Sequence, residues 1–400
     1  MNKVLTLIIS CVIIIFMQDC RQRYFPSVAK SNLNYLSVDG IILNGPDTTT
    51  ITLSRTQNLT DSDYVFAGET GAQVSVIGEN AEIYPLTETG NGKYIAPGLN
   101  LNYNETYQLK ILTSNGEEYL SDSIPVKQTP PIDSVSYTNE NNALLNFYVT
   151  THDPSNNTRY YRWQYTETWE YQSYEDSHLI YENNTLRERT PEEQIFTCWK
   201  SVNSTDILVG TSEKLSQDLI SQENLLADTL FVYTYPINIQ LIVPTVSQKF
   251  LIEYSLLVNQ YAINEDAYSF WQNLKLNTEQ VGTLFSPEPS SQIPGNIHCV
   301  TDPKKPVIGY ITASTLQQKR ILINHYDIFP VTHVPPDIGC GETLLTPDQI
   351  NKLSQPEFYT PIDSVFDNYG VFVGISTGPL DCVDCRRVGG VNMKPSYWPN

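Results

Sequence analysis

Along residues 161–171 large aromatic and polar side chains alternate. Tyr161, Trp163, Tyr165, Trp169 and Tyr171 fall on one side, and Arg162, Gln164, Thr166, Thr168 and Glu170 on the other. A period of two sustained over this length predicts a β-strand, because successive side chains of an extended chain point to opposite faces. Upstream, shorter strand-like runs cover residues 36–43, 50–53, 73–77, 92–95, 106–112 and 118–120. Asn91-Gly92 and Asn115-Gly116 separate some of them, and Asn-Gly tolerates the positive φ that tight hairpin turns require. The spacing predicts an all-β sandwich over residues 35–128. Pro125 and Pro130-Pro131 then mark its exit.

Downstream, residues 132–137, 143–150, 229–243, 249–259, 306–314, 320–324 and 369–375 also read as strands. The period changes to helical over residues 264–277. Asn264 can cap that helix, Glu265 and Asp266 suit its first turn, and Ala267, Phe270, Trp271 and Leu274 form an apolar stripe. Thr346-Pro347 opens a shorter helix ending near Ser354. The expected fold is therefore mostly β. An N-terminal immunoglobulin-like or transthyretin-like sandwich precedes a larger β-rich domain, residues 131–400, with one or two short helices.

The pattern at the start is different. Residues 4–17 form an apolar run behind Lys3. It is too short to span a bilayer, which needs about 20 residues, and has the form of a signal peptide, residues 1–19. Cys20 follows it where a lipoprotein carries its acylated cysteine, so Cys20 is the expected lipidation site and residues 20–34 a tether. Arg21 and Arg23 follow, and periplasmic and surface-facing placements are both compatible with them.

Composition narrows the partners. Lys and Arg number 24 against 44 Asp and Glu, a net charge of −20. That field repels a duplex or an anionic surface, which argues against nucleic-acid binding. Tyr at 26 and Met at 3 agree with strands rather than helices.

With Cys11 in the signal and Cys20 as anchor, Cys198, Cys299, Cys340, Cys382 and Cys385 remain as disulfide candidates. An exported chain keeps disulfides, and five thiols allow two bridges and one left over. Cys340 is the favoured partner for Cys382 or Cys385, which would pin the C-terminal tail and let Lys394-Pro395 and Tyr397-Trp398 pack back on the second domain. Cys382 and Cys385 lack the βαβ setting of a redox pair and the second ligand pair of a zinc site. Gly374-Ile375-Ser376-Thr377-Gly378 matches a serine-hydrolase pattern, but no helix follows it and every histidine lies upstream. His152, His178, His298, His325 and His333 show no metal-binding spacing. No catalytic residue, metal ligand set or cofactor motif is assigned. The aromatic face of residues 161–171 is either a stacking platform for flat ligands or half of a sandwich core.

Several stretches carry a family resemblance. They are Leu36-Ser37-Val38-Asp39-Gly40-Ile41-Ile42, Pro130-Pro131-Ile132-Asp133-Ser134-Val135, Tyr160-Tyr161-Arg162-Trp163, Glu167-Thr168-Trp169 and Cys198-Trp199-Lys200. Further on come Ala267-Tyr268-Ser269-Phe270-Trp271, Pro294-Gly295-Asn296-Ile297, and a tail with Cys385-Arg386, Gly389-Gly390 and Lys394-Pro395. Over almost the whole mature chain this resembles the Bacteroidota envelope lipoproteins grouped as domain-of-unknown-function family 4249. The resemblance implies an outer-membrane lipoprotein, typically encoded beside a TonB-dependent receptor, with no agreed activity to transfer. The expected role is a non-enzymatic binding or accessory component of such an uptake system; the alternative is an envelope hydrolase acting on glycan or peptide.

Overall fold

The computed structural model describes residues 34–57, 68–234, 243–279, 294–329 and 340–399. The signal segment, Cys20 and nearly all of the tether lie outside these. Among the described residues strand is the main regular structure, as the alternation predicts, and no helix is long and apolar enough to cross a membrane.

The first body contains the strands Leu36–Leu43, Thr48–Arg55, Gln73–Gly78, Ile83–Gly90, Lys93–Pro97, Thr106–Leu112, Glu118–Ser121 and Ile124–Lys127. Alternation decides the face each strand buries: in Thr106–Leu112, Tyr107, Leu109 and Ile111 point inward. They meet Leu36, Val38, Ile51, Leu53, Val76 and Tyr94 in one core. Asn91 and Gly92 have φ of 49° and 72°, which matches the mirror-image turn their identities predict.

The boundary expected at residue 128 is corrected by the pairing. Thr312–Ser314 inserts in parallel between Leu36–Leu43 and Ile124–Lys127. Val307–Ile308 also pairs in parallel with Leu36–Leu43, and Ile297–Cys299 pairs with Glu118–Ser121. Because Ile124–Lys127 also pairs with Thr106–Leu112, the ladder closes on itself only when the later segment is present. Gly309 permits this approach: a Cβ there would lie 2.0 Å from the Val38 carbonyl oxygen. The first body is thus residues 34–128 plus 294–314, and Ile297, Ile311 and Ala313 belong to its core.

The second body is another sandwich. Ile132–Glu140, Leu144–Thr151 and Ile220–Thr229 form one antiparallel sheet. The other is built on Tyr160–Gln172, flanked by Glu253–Ile263 and then Gln317–Asn324 on one side and by Thr197–Asn203 and Leu208–Thr211 on the other. Leu145, Phe147 and Val149 from the first sheet share a core with Tyr161, Trp163, Tyr165, Leu256 and Val258 from the second. The helix Glu265–Glu279 lies over the opposite face of the second sheet, packing Ala267, Phe270 and Trp271 on Val209 and Ile263. The Asn264 side chain accepts from the Ala267 N–H at 3.0 Å, as its capping role predicts.

The strand expected over 229–243 is instead the end of Ile220–Thr229 followed by Phe231–Thr234, which pairs back on Val243–Val246. The strand expected from 249 starts at Glu253, because Gln248–Phe250 is a 3₁₀ turn. Pro347–Ser354 is helical but 3₁₀ throughout. A small third sheet, Thr343–Leu345, Phe372–Gly378 and Thr360–Phe366, packs with that turn and the hairpin Leu179–Glu182/Thr185–Glu188 around Leu345, Leu353 and Ile375. Its middle strand begins at Phe372, later than expected, because the Asp367 carboxylate accepts from the N–H groups of Tyr369 and Val371 and holds a turn there.

Candidate functional site

The five aromatic residues proposed as a ligand surface are core residues. Tyr161, Trp163, Tyr165, Trp169 and Tyr171 are all buried, so this face is half of the sandwich core and not a stacking platform. The cause is the alternation of Leu145, Phe147 and Val149 in the neighbouring run, which supplies the face that covers them. Trp169 Nε1 is buried without a partner, but other polar ends along this stripe find partners inside: Tyr161 donates to Asp218, Trp163 Nε1 to Gln260 at 2.8 Å, and the Tyr171 hydroxyl to the Cys385 carbonyl at 2.6 Å.

Glu167, the one acid on the aromatic side, is also buried. Lys249 Nζ reaches it at 2.8 Å and Asp228 at 2.6 Å, and the Tyr254 hydroxyl donates to it at 2.9 Å. Burial pushes the Tyr254 hydroxyl far above its ordinary value, and the Glu167 charge adds to this. Burial alone would lower Lys249, but the bonds to Asp228 and Glu167 outweigh it and raise it. Lys249 Nζ also lies 5.5 Å from the Trp169 ring centre. The cluster is fully paired, a structural ion network rather than an acid poised for chemistry.

Two disulfides tie down the C-terminal segment: Cys340–Cys382 and Cys198–Cys385. Cys340 therefore takes the nearer of its two candidate partners, and Cys385 reaches across to the edge strand Thr197–Asn203. Cys299, also a bridge candidate, is instead a buried thiol 3.3 Å from the Thr301 hydroxyl. The tail continues over the sheet. Val391 exchanges backbone hydrogen bonds with Trp199, Trp398 Nε1 donates to Glu170 at 2.7 Å, and the Arg320 guanidinium lies 3.5 Å from the Tyr397 ring centre. Helix and tail thus cover the outer face that carries Arg162, Thr168 and Glu170. Ser376 lies in a strand and donates to Glu342, away from any histidine partner among the described residues.

Where the two bodies meet there is a small cleft of about 90 Å³, lined by Asp122, Lys127, Asn264, Asp266, Asn296 and Tyr310 among others. Its wall is made by the returning segment and by the start of the helix. The Tyr310 ring sits 5.2 Å from Phe270. On the other side of Phe270 is Trp271, with the buried Arg162 guanidinium stacked 3.7 Å from its ring centre. Burial pushes the Arg162 pKa down, against the pull of Asp39 and Tyr261. Neither Arg162 nor the returning segment stood out as site-forming in the sequence. A basic residue opposite an aromatic stripe was the one visible signal.

The architecture defines a two-sandwich β-protein, knitted by a returning segment and clamped by disulfides. The chain belongs to the family described as a domain of unknown function (DUF4249), whose model matches residues 21–320. No curated protein matches it. Among solved structures it is similar to a two fibronectin type-III domain segment from chicken tenascin, at 12% identity over 58% of this chain and 91% of that one, with a TM-score of 0.15. A chitinase, ChiA74 from Bacillus thuringiensis, aligns at 14% identity over 50% of this chain and 30% of its own, also with a TM-score of 0.15. At these scores the fold rests on the strand pairing above.

Proposed function

We propose that this protein is an outer-envelope lipoprotein, anchored through an acyl group on Cys20, that acts as a non-enzymatic binding or accessory component of a TonB-dependent uptake system in a Bacteroidota-type envelope. The observation that carries the reading is the pair of disulfides. Bridges of this kind persist in oxidising compartments outside the cytoplasm. The apolar run ending before Cys20 supplies the export signal and the anchor. The strong acidity keeps the molecule off anionic surfaces other than through that anchor. The non-enzymatic side is supported by the state of the fully buried acids: Glu167 pairs with Lys249, Asp218 accepts from Tyr161 and Ser212, and Asp384 pairs with Arg386.

Replacing Cys20 by Ser and fractionating cells tests the anchor. The variant should move from the membrane to the soluble fraction, since a single lipid-modified cysteine is the sole link proposed. A variant as membrane-bound as the parent rules the anchor out.

A further inference from the structure

Two arginines whose side chains lie largely out of water are treated in opposite ways. Arg55, with its side chain 9% exposed, meets Glu69 at 2.7 Å and Glu117 at 3.2 Å. Arg162 is 8% exposed and, among the described residues, its side chain makes no hydrogen bond or ion pair. Its one specific contact is the face of Trp271. A buried charge left without an opposite charge is expensive, so proteins pair such groups or bring a ligand to them.

The surroundings are arranged as a receptor for one. Stacking on Trp271 fixes the plane of the guanidinium, whose fork of donors then matches a carboxylate in two parallel bonds. The Trp271 Nε1–H is itself sealed without an acceptor, so the indole contributes its face rather than its donor. The sealed, partnerless side-chain atoms among the described residues are Asn139 Oδ1, Trp169 Nε1, Trp199 Nε1, Trp271 Nε1 and Ser314 Oγ. No Arg162 nitrogen is among them, so its donors keep some contact with solvent. The charged and titratable groups acting on Arg162 from neighbouring elements are the exposed Asp39 of the first strand and Tyr261 of the paired strand. Asp39 acts at a distance rather than by contact. With a net charge of −20 around it, the site suits a singly charged anion better than a doubly charged one.

We infer that Arg162 and Trp271 form a binding site for the carboxylate group of a small monoanionic ligand at the junction of the two sandwiches. This deepens the binding role proposed above and would name the ligand class. The site can be tested on purified protein alone, so its failure is separate from failure of the receptor association.

The test is thermal unfolding and Trp fluorescence of the mature chain in sodium acetate, compared with sodium chloride and sodium phosphate at equal ionic strength. Acetate should raise Tm by about 1–3 °C over chloride near saturation and change the Trp emission. The R162M variant should lose that increment while its Tm in chloride stays level or rises. Should R162M fail to fold, R162K keeps the charge but not the fork, and should lose most of the increment. Acetate no better than chloride in the parent, or a full increment in R162M or R162K, overturns the site. Phosphate outperforming acetate overturns the assignment to a monoanionic carboxylate.

Discussion

At the scale of single residues, the interior charges decide most. Lys249 bridges Glu167 and Asp228 with both acids largely out of water. Removing one partner of a buried pair leaves the other uncompensated, at a cost of roughly 3–5 kcal/mol. Because Lys249 keeps a quarter of its side-chain exposure, K249M should lower stability by about 3 kcal/mol, at the low end of that range. Urea unfolding measures it, and a loss under about 1 kcal/mol would show the network to be dispensable. Glu117 sets a pH dependence. Burial alone would push its carboxyl up, but hydrogen bonds from Lys305, Tyr119 and Asn115 outweigh this and bring it down to about 2. A carboxyl depressed on folding contributes stability that is complete above its unfolded value, here the ordinary 4.5, and is lost as pH falls toward 2. Lys305 belongs to the returning segment, so acid should loosen that segment first. The Tm of the parent should fall more steeply than that of E117Q from about pH 5 to about pH 2. Parallel curves would remove Glu117 from this role.

At the scale of elements, the returning segment governs whether the first sandwich is complete. A fragment of residues 35–128 leaves open the edges of Leu36–Leu43 and Ile124–Lys127 that Thr312–Ser314 joins, and uncovers the core that Ile297 and Ile311 help close. Open edges and an uncovered core favour association over folding. That fragment should melt broadly or aggregate, whereas the same fragment with residues 294–316 linked to its end should melt cooperatively by circular dichroism. A sharp melt of the short fragment would restore the boundary at residue 128. This is also where sequence reading reached its limit. Leu36–Leu43, Thr106–Leu112 and Tyr160–Gln172 were legible because their alternation is local, and the Glu265–Glu279 helix because cap and stripe coincide. Thr312–Ser314 was legible as part of a strand but not as a member of the first sheet. Its partners are nearly two hundred residues away or more, and parallel pairing leaves no turn signal between them. The aromatic stripe shows the same limit for the site. Period two gave the face correctly, but whether that face meets water depends on the sheet laid over it. Arg162 was legible only as a basic residue opposite the aromatic stripe, because its isolation from acids is a property of packing.

At the scale of the whole molecule, the C-terminal clamp joins distant parts. Cys198–Cys385 and Cys340–Cys382 span 187 and 42 residues, and bridges closing loops of such length typically stabilise by roughly 2–4 kcal/mol each. Replacing Cys385 by Ser should lower stability by that amount and expose Tyr397 and Trp398 to limited proteolysis. Peptide mapping of the native protein without reductant should show both bridges, with Cys299 alkylated only after unfolding. Free Cys340 and Cys382 in the native chain would refute the clamp. The two bridges are compatible with the proposed position outside the cytoplasm, where disulfides persist. The direct test is isolation of the native, membrane-anchored protein from outer membranes in mild detergent, with quantification of what comes with it. The proposed role predicts a TonB-dependent receptor recovered in stoichiometric amount with the parent and lost with C20S; a parent protein recovered alone, or recovered from the soluble fraction, would contradict it.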